Sequence, residues 1–302
     1  MEKNLLHELT EKGKITPPTW LADGVQFLAM MGSTAYGVAG ESSDRDVYGW
    51  AIPPKHFVWP HLAGEIQGFG RHAKRFEQYQ QHHIYYAKNV WDVTVFSIIK
   101  FFQLCMDNNP NIIDALFVPD RCVIFETELA RLVRENRKIF LHKGSFHRFK
   151  GYAYSQLAKL DHTRMHMPKS QSRRESIQKH GYDTKFAYHL VRLLLEVEQI
   201  LTEGDLQLDR HATQLRGIRE GQWSLQQVKD FFAQKEADLE HVYNISTAVP
   251  YRPDEPSIKA LLVEVLDLYF DSIPRTERDK TLAIKNALHD IKVKVDNALG
   301  LL

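Results

Sequence analysis

The sequence predicts an α+β protein with its strands in the N-terminal half and helices throughout the C-terminal half. Three observations carry this. Val25 to Met31 is a nearly continuous apolar run ending at Gly32, the pattern of a buried strand entering a turn. Asp46-Val47-Tyr48-Gly49-Trp50-Ala51-Ile52 reads as a second strand, stopped by Pro53-Pro54. From Gly144 onward, apolar and aromatic residues recur at helical spacing. The change of pattern falls between residues 140 and 145, giving an N-terminal domain over 1–143 and a helical C-terminal domain over 144–302.

In order, Asn4 to Lys12 predicts a helix, broken by Thr16-Pro17-Pro18. Ser33 to Val38 predicts a short helix behind the Gly32 turn. His61 to His83 is polar and without a clear period, and reads as a long connection with local strand or helix as an alternative. Ile84 to Ala87 and Val90 to Val93 read as strand. Thr94 to Met106 is apolar nearly all round, which predicts a buried helix. Asn109 can cap a following helix with Pro110 at its first position. Cys122 to Phe125 predicts a strand and Thr127 to Asn136 a helix. Arg164 to Lys179 reads as a basic linker. Asp183 caps a long helix through Leu201, closed by Gly204, and Ser224 with Gln227 forms a capping box for a helix to Tyr243. Helices over Ser257 to Phe270 and Arg275 to Leu299 finish the chain.

The 302 residues are 43% hydrophobic and 25% charged, the balance of a soluble globular protein. A net charge of +1 excludes an overall field that would draw nucleic acid or anionic membrane, so any such contact must be local. The two cysteines, Cys105 and Cys122, sit in apolar surroundings and predict core thiols in a reducing, cytoplasmic setting. No signal peptide or membrane-spanning run is expected. The paired histidines His82-His83 and His162 with His166 lack the further Cys or His that a tetrahedral site needs, and read as surface or acceptor-site residues.

The chemistry centres on Met31-Gly32-Ser33-Thr34-Ala35-Tyr36-Gly37 followed by Ser42-Ser43-Asp44-Arg45-Asp46. A Gly-Ser turn offers backbone N–H groups and a hydroxyl to an anion. Aspartates two apart on a strand share a face and repel each other unless a cation lies between them. Anion cradle plus divalent-cation pair is what handling a nucleoside triphosphate requires. The same residues can also make a solvated, turn-rich loop. A third carboxylate is wanted on a neighbouring strand. Asp92 is the candidate, with the N-cap of the helix after it as its alternative role.

Gly32-Ser33-x-x-Tyr36-Gly37 with Ser43-Asp44-x-Asp46-x-x-Gly49 resembles the signature of the DNA polymerase β-like nucleotidyltransferase superfamily. The closer similarity is to its predicted nucleotidyltransferase branch, the RNA-repair-pathway polymerase β-like family. Asp92 through Phe101, Asn109-Pro110-Asn111 with Asp114-x-Leu116-Phe117, and Lys179 through Leu193 are similar to that branch, which more often has Glu at the position of Asp114.

The resemblance runs from about residue 25 to 235. It implies a small mixed sheet flanked by helices, with a helical domain closing one side of a cleft. It implies that Gly32 and Ser33 hold the triphosphate and that Asp44, Asp46 and Asp92 bind Mg²⁺ or Mn²⁺ as the catalytic carboxylates. Tyr36 belongs to the same nucleotide-binding motif. On the helix after Asp183, Lys185, His189 and Arg192 share a face. They form either a solvated cationic stripe or a set in which Lys179 or Lys185 neutralises triphosphate charge and Tyr182 or His189 contacts base or acceptor. The implied activity is transfer of a nucleoside monophosphate from an NTP to a hydroxyl, most simply on an RNA end, with DNA as a further possible acceptor. A protein AMP-transferase and a non-catalytic NTP sensor are the alternatives.

Overall fold

The computed structural model describes residues 3–40, 44–72, 74–165 and 171–272. Ser42, Ser43, His166, Lys169 and the expected helix from Arg275 to Leu299 lie outside them. Two compact units divide the chain, Met1–Leu262 and Val263–Leu302. The sheet and the helices through Leu262 belong to the first; the described part of the second is helical.

Helix α1 (Leu5–Glu11) is opened by a capping box from Asn4 and His7. A single turn, α2 (Leu21–Gly24), leads into β1 (Val25–Met30), and β2 (Arg45–Ala51) precedes another single turn, α3 (Lys55–Val58). β3 (Gln78–Tyr86) and β4 (Asn89–Ser97) form a hairpin. α4 (Ile98–Met106) and α5 (Pro110–Leu116) follow, then β5 (Val123–Glu126) and α6 (Glu128–Glu135). The helical half comprises α7 (Gly144–Met165), α8 (Gln171–His180), α9 (Thr184–Glu203), α10 (Ala212–Arg219), α11 (Leu225–Ile245) and α12 (Glu255–Ser272). Among the described residues no helix is long and apolar enough to cross a membrane.

The five strands make one mixed sheet in the order β3-β4-β2-β1-β5. β2 and β4 are parallel; the other neighbours are antiparallel. Strand alternation sorts the residues of β2 and β4 onto two faces. Val47, Ala51, Val93 and Val95 pack with Leu6 and Leu9 of α1 in a buried cluster. The opposite face carries Asp46, Tyr48 and Trp50 beside Asp92, Thr94 and Phe96, and there Trp50 packs against Phe101 of α4.

The predicted caps at Asn109, Asp183, Gly204 and Ser224 are all present. Four local expectations are corrected or narrowed. Thr94 to Phe96 is strand, not helix: these β-branched and aromatic residues pair along buried β2, and α4 starts only after Ser97, whose hydroxyl accepts from the Lys100 N–H. Gln78 to His83, at the end of the expected long connection, takes the strand alternative and extends β3. As an edge strand it keeps a polar face in water and so lacks an apolar signature. Ser33 to Val38 forms consecutive turns, not a regular helix. Finally, α7 and α8 take up most of the basic stretch read as a linker.

Candidate active site

β2 and β4 pair in parallel with Asp46 directly opposite Asp92, so the two carboxylates leave the sheet on the same face. The Asp92 side chain is mid-strand, five residues before the Ser97 cap, which removes its alternative role as a helix cap. Asp44 precedes the first residue of β2 and is exposed. It is therefore not the second aspartate of a strand pair, although its charge acts on Asp46. Arg45, between the two, turns to the other face and stacks on Trp91 at 4.9 Å.

Asp46 is held from two sides. Its carbonyl accepts the Met31 N–H at 2.7 Å. Gly32, in the left-handed region at φ +60°, lies so close that a Cβ there would stand 2.5 Å from Asp46 Oδ2. Burial pushes the Asp46 carboxyl up from its ordinary range; Lys185 opposes that, and Asp92 and Asp44 add to it. Asp92 is oriented by a bulge in β3: the His83 N–H donates to Oδ1 at 2.7 Å and His82 Nδ1 lies 3.0 Å from Oδ2. His83 adopts φ +56° to make this contact.

The aspartate face opens into a cleft of about 730 Å³ lined by Gly32, Tyr36, Asp46 and Tyr48 on one side. The other side is a stripe of α7: His147, Arg148, Gly151, Tyr152, Ser155, Gln156 and Lys159. Their spacing of three and four puts them on one helix face. Asn111 of α5, Arg173 of α8, and Phe186, His189, Arg192 and Leu193 of α9 complete the lining.

Beside the cleft lies a buried ionic cluster. Arg192 donates through Nη1 to Asp114 Oδ2 and to both Glu196 oxygens, the latter at 2.9 Å, and the Tyr36 hydroxyl donates to Asp114 Oδ2 at 2.7 Å. Arg192 also lies 4.2 Å from the Tyr36 ring centroid. Burial pushes the Asp114 and Glu196 carboxyls up, Arg192 opposes it, and burial drives the Tyr36 hydroxyl far up.

The sequence-predicted residues separate accordingly. Gly32, Asp46 and Asp92 come together, with Ser33 half-buried at the same turn. Tyr36 lines the cleft with its ring while its hydroxyl is committed to Asp114. Lys185 is exposed and near enough to act on Asp46 and His189. His189 lines the cleft, and burial holds its imidazole well below the usual histidine range, reinforced by Arg192, Lys185, Arg219 and Arg173.

Of the expected site residues, Ser33, Asp44, Asp92 and Lys185 lie outside the cavity lining though near Asp46, and two more do not fit the cleft at all. Tyr182 is buried and donates its hydroxyl to the Trp223 carbonyl at 2.6 Å, and Lys179 is exposed on the last turn of α8; neither lines the cavity. Nor is the α9 stripe a solvated face, since Arg192 is 4% exposed.

The residues that sequence reasoning missed are those of α7, whose polar stripe is hidden among Phe146, Phe149, Tyr152 and Tyr154. A test of every third and fourth position for polarity, rather than for apolarity, would have found it.

A strand-borne carboxylate pair beside a left-handed glycine turn, facing a helical wall across a cleft, defines a nucleotidyltransferase-like α/β protein. Residues 4–283 match the RNA repair pathway DNA polymerase beta family, and the chain belongs to that family. Among solved structures it is similar to a nucleotidyltransferase-like protein from Exiguobacterium sibiricum 255-15, at 10% identity over 79% of this chain and 73% of that one, with a TM-score of 0.27. No curated protein sequence matches the chain.

Proposed function

We propose that the chain transfers a nucleoside monophosphate from an NTP to a hydroxyl at an RNA end, with Mg²⁺ or Mn²⁺ as cofactor. The observation that carries this reading is the register of Asp46 against Asp92 on the cleft-facing side of the sheet, beside the Gly32 turn.

The donor set suits a hard divalent cation: both groups are carboxylates, and Asp46 is a carboxyl whose ionised form lacks sufficient countercharge. Among the described residues no three acidic, histidine or cysteine side chains enclose a metal ion. Mg²⁺ in particular is often held by one or two carboxylates, substrate phosphates and water. Asp46 and Asp92 would hold the ion, with Asp44 at the rim, and it would supply charge neutralisation at the reacting phosphate.

The chain's own groups do the rest. Gly32 lets the Asp46 carboxylate lie against the turn, where a side chain would displace it. Lys185 favours the ionised form of Asp46. The bulge at His82 and His83 keeps Asp92 from rotating away. The acceptor oxygen forms a bond to the α-phosphorus, the bond to the β-phosphate oxygen breaks, pyrophosphate leaves and the hydroxyl proton is released. Positioning and charge stabilisation are the main contributions a protein makes to such a transfer. From His147 to Lys159 the cleft follows twelve residue steps of α7, roughly 18 Å at 1.5 Å per residue.

The test is incubation with each α-labelled NTP, Mg²⁺ or Mn²⁺, and RNA, DNA or cell protein. Label in RNA with matching pyrophosphate is the expected result. Label in protein would instead establish an AMP-transferase, and NTP binding without pyrophosphate under any condition would establish a sensor.

A further inference from the structure

At one end of the cleft two cations share one aromatic ring. The Arg173 guanidinium lies 4.3 Å from the Phe186 ring centroid and the Lys159 ammonium 5.7 Å from it, and all three residues line the cavity. Cations gather at a ring face because of its quadrupole, but the ring accepts no conventional hydrogen bond. Among the described residues neither cation donates a hydrogen bond to an acceptor. The nearest carboxylate oxygen to Arg173 is Asp183 Oδ2 at 3.6 Å, beyond hydrogen-bond length. Asp183 is positioned by its cap, its Oδ1 accepting from the Lys185 and Phe186 N–H groups, and pairs with Arg173 through charge alone.

The surroundings reinforce the positive potential. His189, one turn further along α9, is held well below the usual histidine range by burial and by the charges of Arg192, Lys185, Arg219 and Arg173. Asp46 is acidic on the same cleft surface, but its charge is already met in part by Lys185. Donors that meet no hydrogen-bond acceptor among the described residues suit a ligand with several anionic oxygens. A guanidinium fork beside an ammonium matches a phosphate group in shape and charge.

We infer that Lys159 and Arg173, gathered about Phe186, form a phosphate-binding subsite of the cleft. The phosphate comes from the nucleotide's oligophosphate or from the backbone of the acceptor strand. What supplies it rests on the proposed transfer activity; the subsite itself does not. Lys159 is exposed and Arg173 half-buried, so an anion reaches both from solvent, and both side chains keep their ring contact as it arrives.

Calorimetric titration of the full chain in EDTA tests this, with three ligands: inorganic tripolyphosphate, ATP, and a short single-stranded RNA without terminal phosphates. Lys159→Ala and Arg173→Ala should each weaken binding about tenfold and flatten the dependence of log K on log salt by about one. Lys159→Arg should keep wild-type affinity, and Lys12→Ala, on the far-removed α1 cap, serves as the charge control. A loss in tripolyphosphate and ATP assigns the phosphate to the nucleotide; a loss confined to RNA assigns it to the strand. Binding of none of the three by the wild type overturns the subsite, as do affinities that Lys159→Ala and Arg173→Ala leave equal to the control. Asp46→Asn separates the two readings. It should abolish transfer yet bind tripolyphosphate in EDTA at least as tightly as wild type, because it removes a repelling charge.

Discussion

Two groups of carboxylates lie beside the same cleft and meet opposite fates. Asp114 and Glu196 are buried and share Arg192, so their charge is answered from within the chain. Asp46 lines the cleft with Asp92 beside it on the next strand; Lys185 meets the charge of the first only in part, and the His82–His83 bulge holds the second. The first arrangement draws its countercharge from Arg192, though Asp114 Oδ1 is left without a partner, and it joins the Gly32 turn to α5 and α9 through Tyr36. The second leaves Asp46 short of countercharge, which the proposed cation would supply. Residue type does not distinguish them; countercharge does.

The largest effect expected follows from removing the internal countercharge. Arg192→Met strands two buried carboxyls and should cost about 3–5 kcal/mol of stability, read from urea unfolding. An undiminished midpoint would show that Asp114 and Glu196 are neutral without Arg192, and the contrast between the two groups would fail.

At the open pair the expectation reverses. Asp46→Asn should lower transfer about a hundredfold or more and yet raise the melting temperature at neutral pH without metal. The sign follows from the raised carboxyl of Asp46. The folded state binds that proton more tightly than the unfolded chain, so ionised Asp46 costs stability above its folded pKa. Stability recovers as pH falls through the window between the raised value and the ordinary carboxylate value. The gain from Asp46→Asn should therefore vanish below the carboxylate range, and Mg²⁺ should stabilise the wild type more than the variant. A variant less stable than wild type at neutral pH would contradict the assignment.

Tyr36→Phe probes the link between the groups. It leaves Asp114 Oδ2 with one donor fewer in a buried site where Oδ1 already has no partner, and should cost about 1–3 kcal/mol. An activity loss larger than the loss of folded protein would mean that the hydroxyl also serves the substrate. The smallest stability change is expected for Gly32→Ala, about 1–2 kcal/mol for the left-handed backbone, read by thermal denaturation. Its added Cβ would push against Asp46 Oδ2, so weakened metal binding, measured by Mn²⁺ titration, should exceed what the stability change explains.

Much of this was legible in local sequence. The Gly32 turn needs a residue free to adopt positive φ, the buried strand β1 needs an apolar run, and the caps at Asn109, Asp183 and Ser224 act within a few residues. Asp46 and Asp92 could be nominated because each sits beside a strand-like run. Where local signals conflict, reading failed. Val93 to Phe96 is apolar enough for a buried helix and β-branched enough for a strand, and only pairing with β2 decides between them. The first part of β3, Gln78 to His83, gave no apolar pattern because an edge strand is wetted on its exposed side, whereas Ile84 to Tyr86 was legible as strand.

The amino-acid sequence by itself determined the division into strand-rich and helical halves, the turn at Gly32 and the supply of carboxylates, because periodicity, backbone freedom and capping operate over one or two turns. Only the tertiary structure decided which charges meet. Asp46 faces Asp92 across two strands 46 residues apart in sequence, Arg192 was drawn inward to Asp114, and Lys159 came to the ring of Phe186. Coulomb interaction depends on distance and burial, and neither is set until strands and helices are packed.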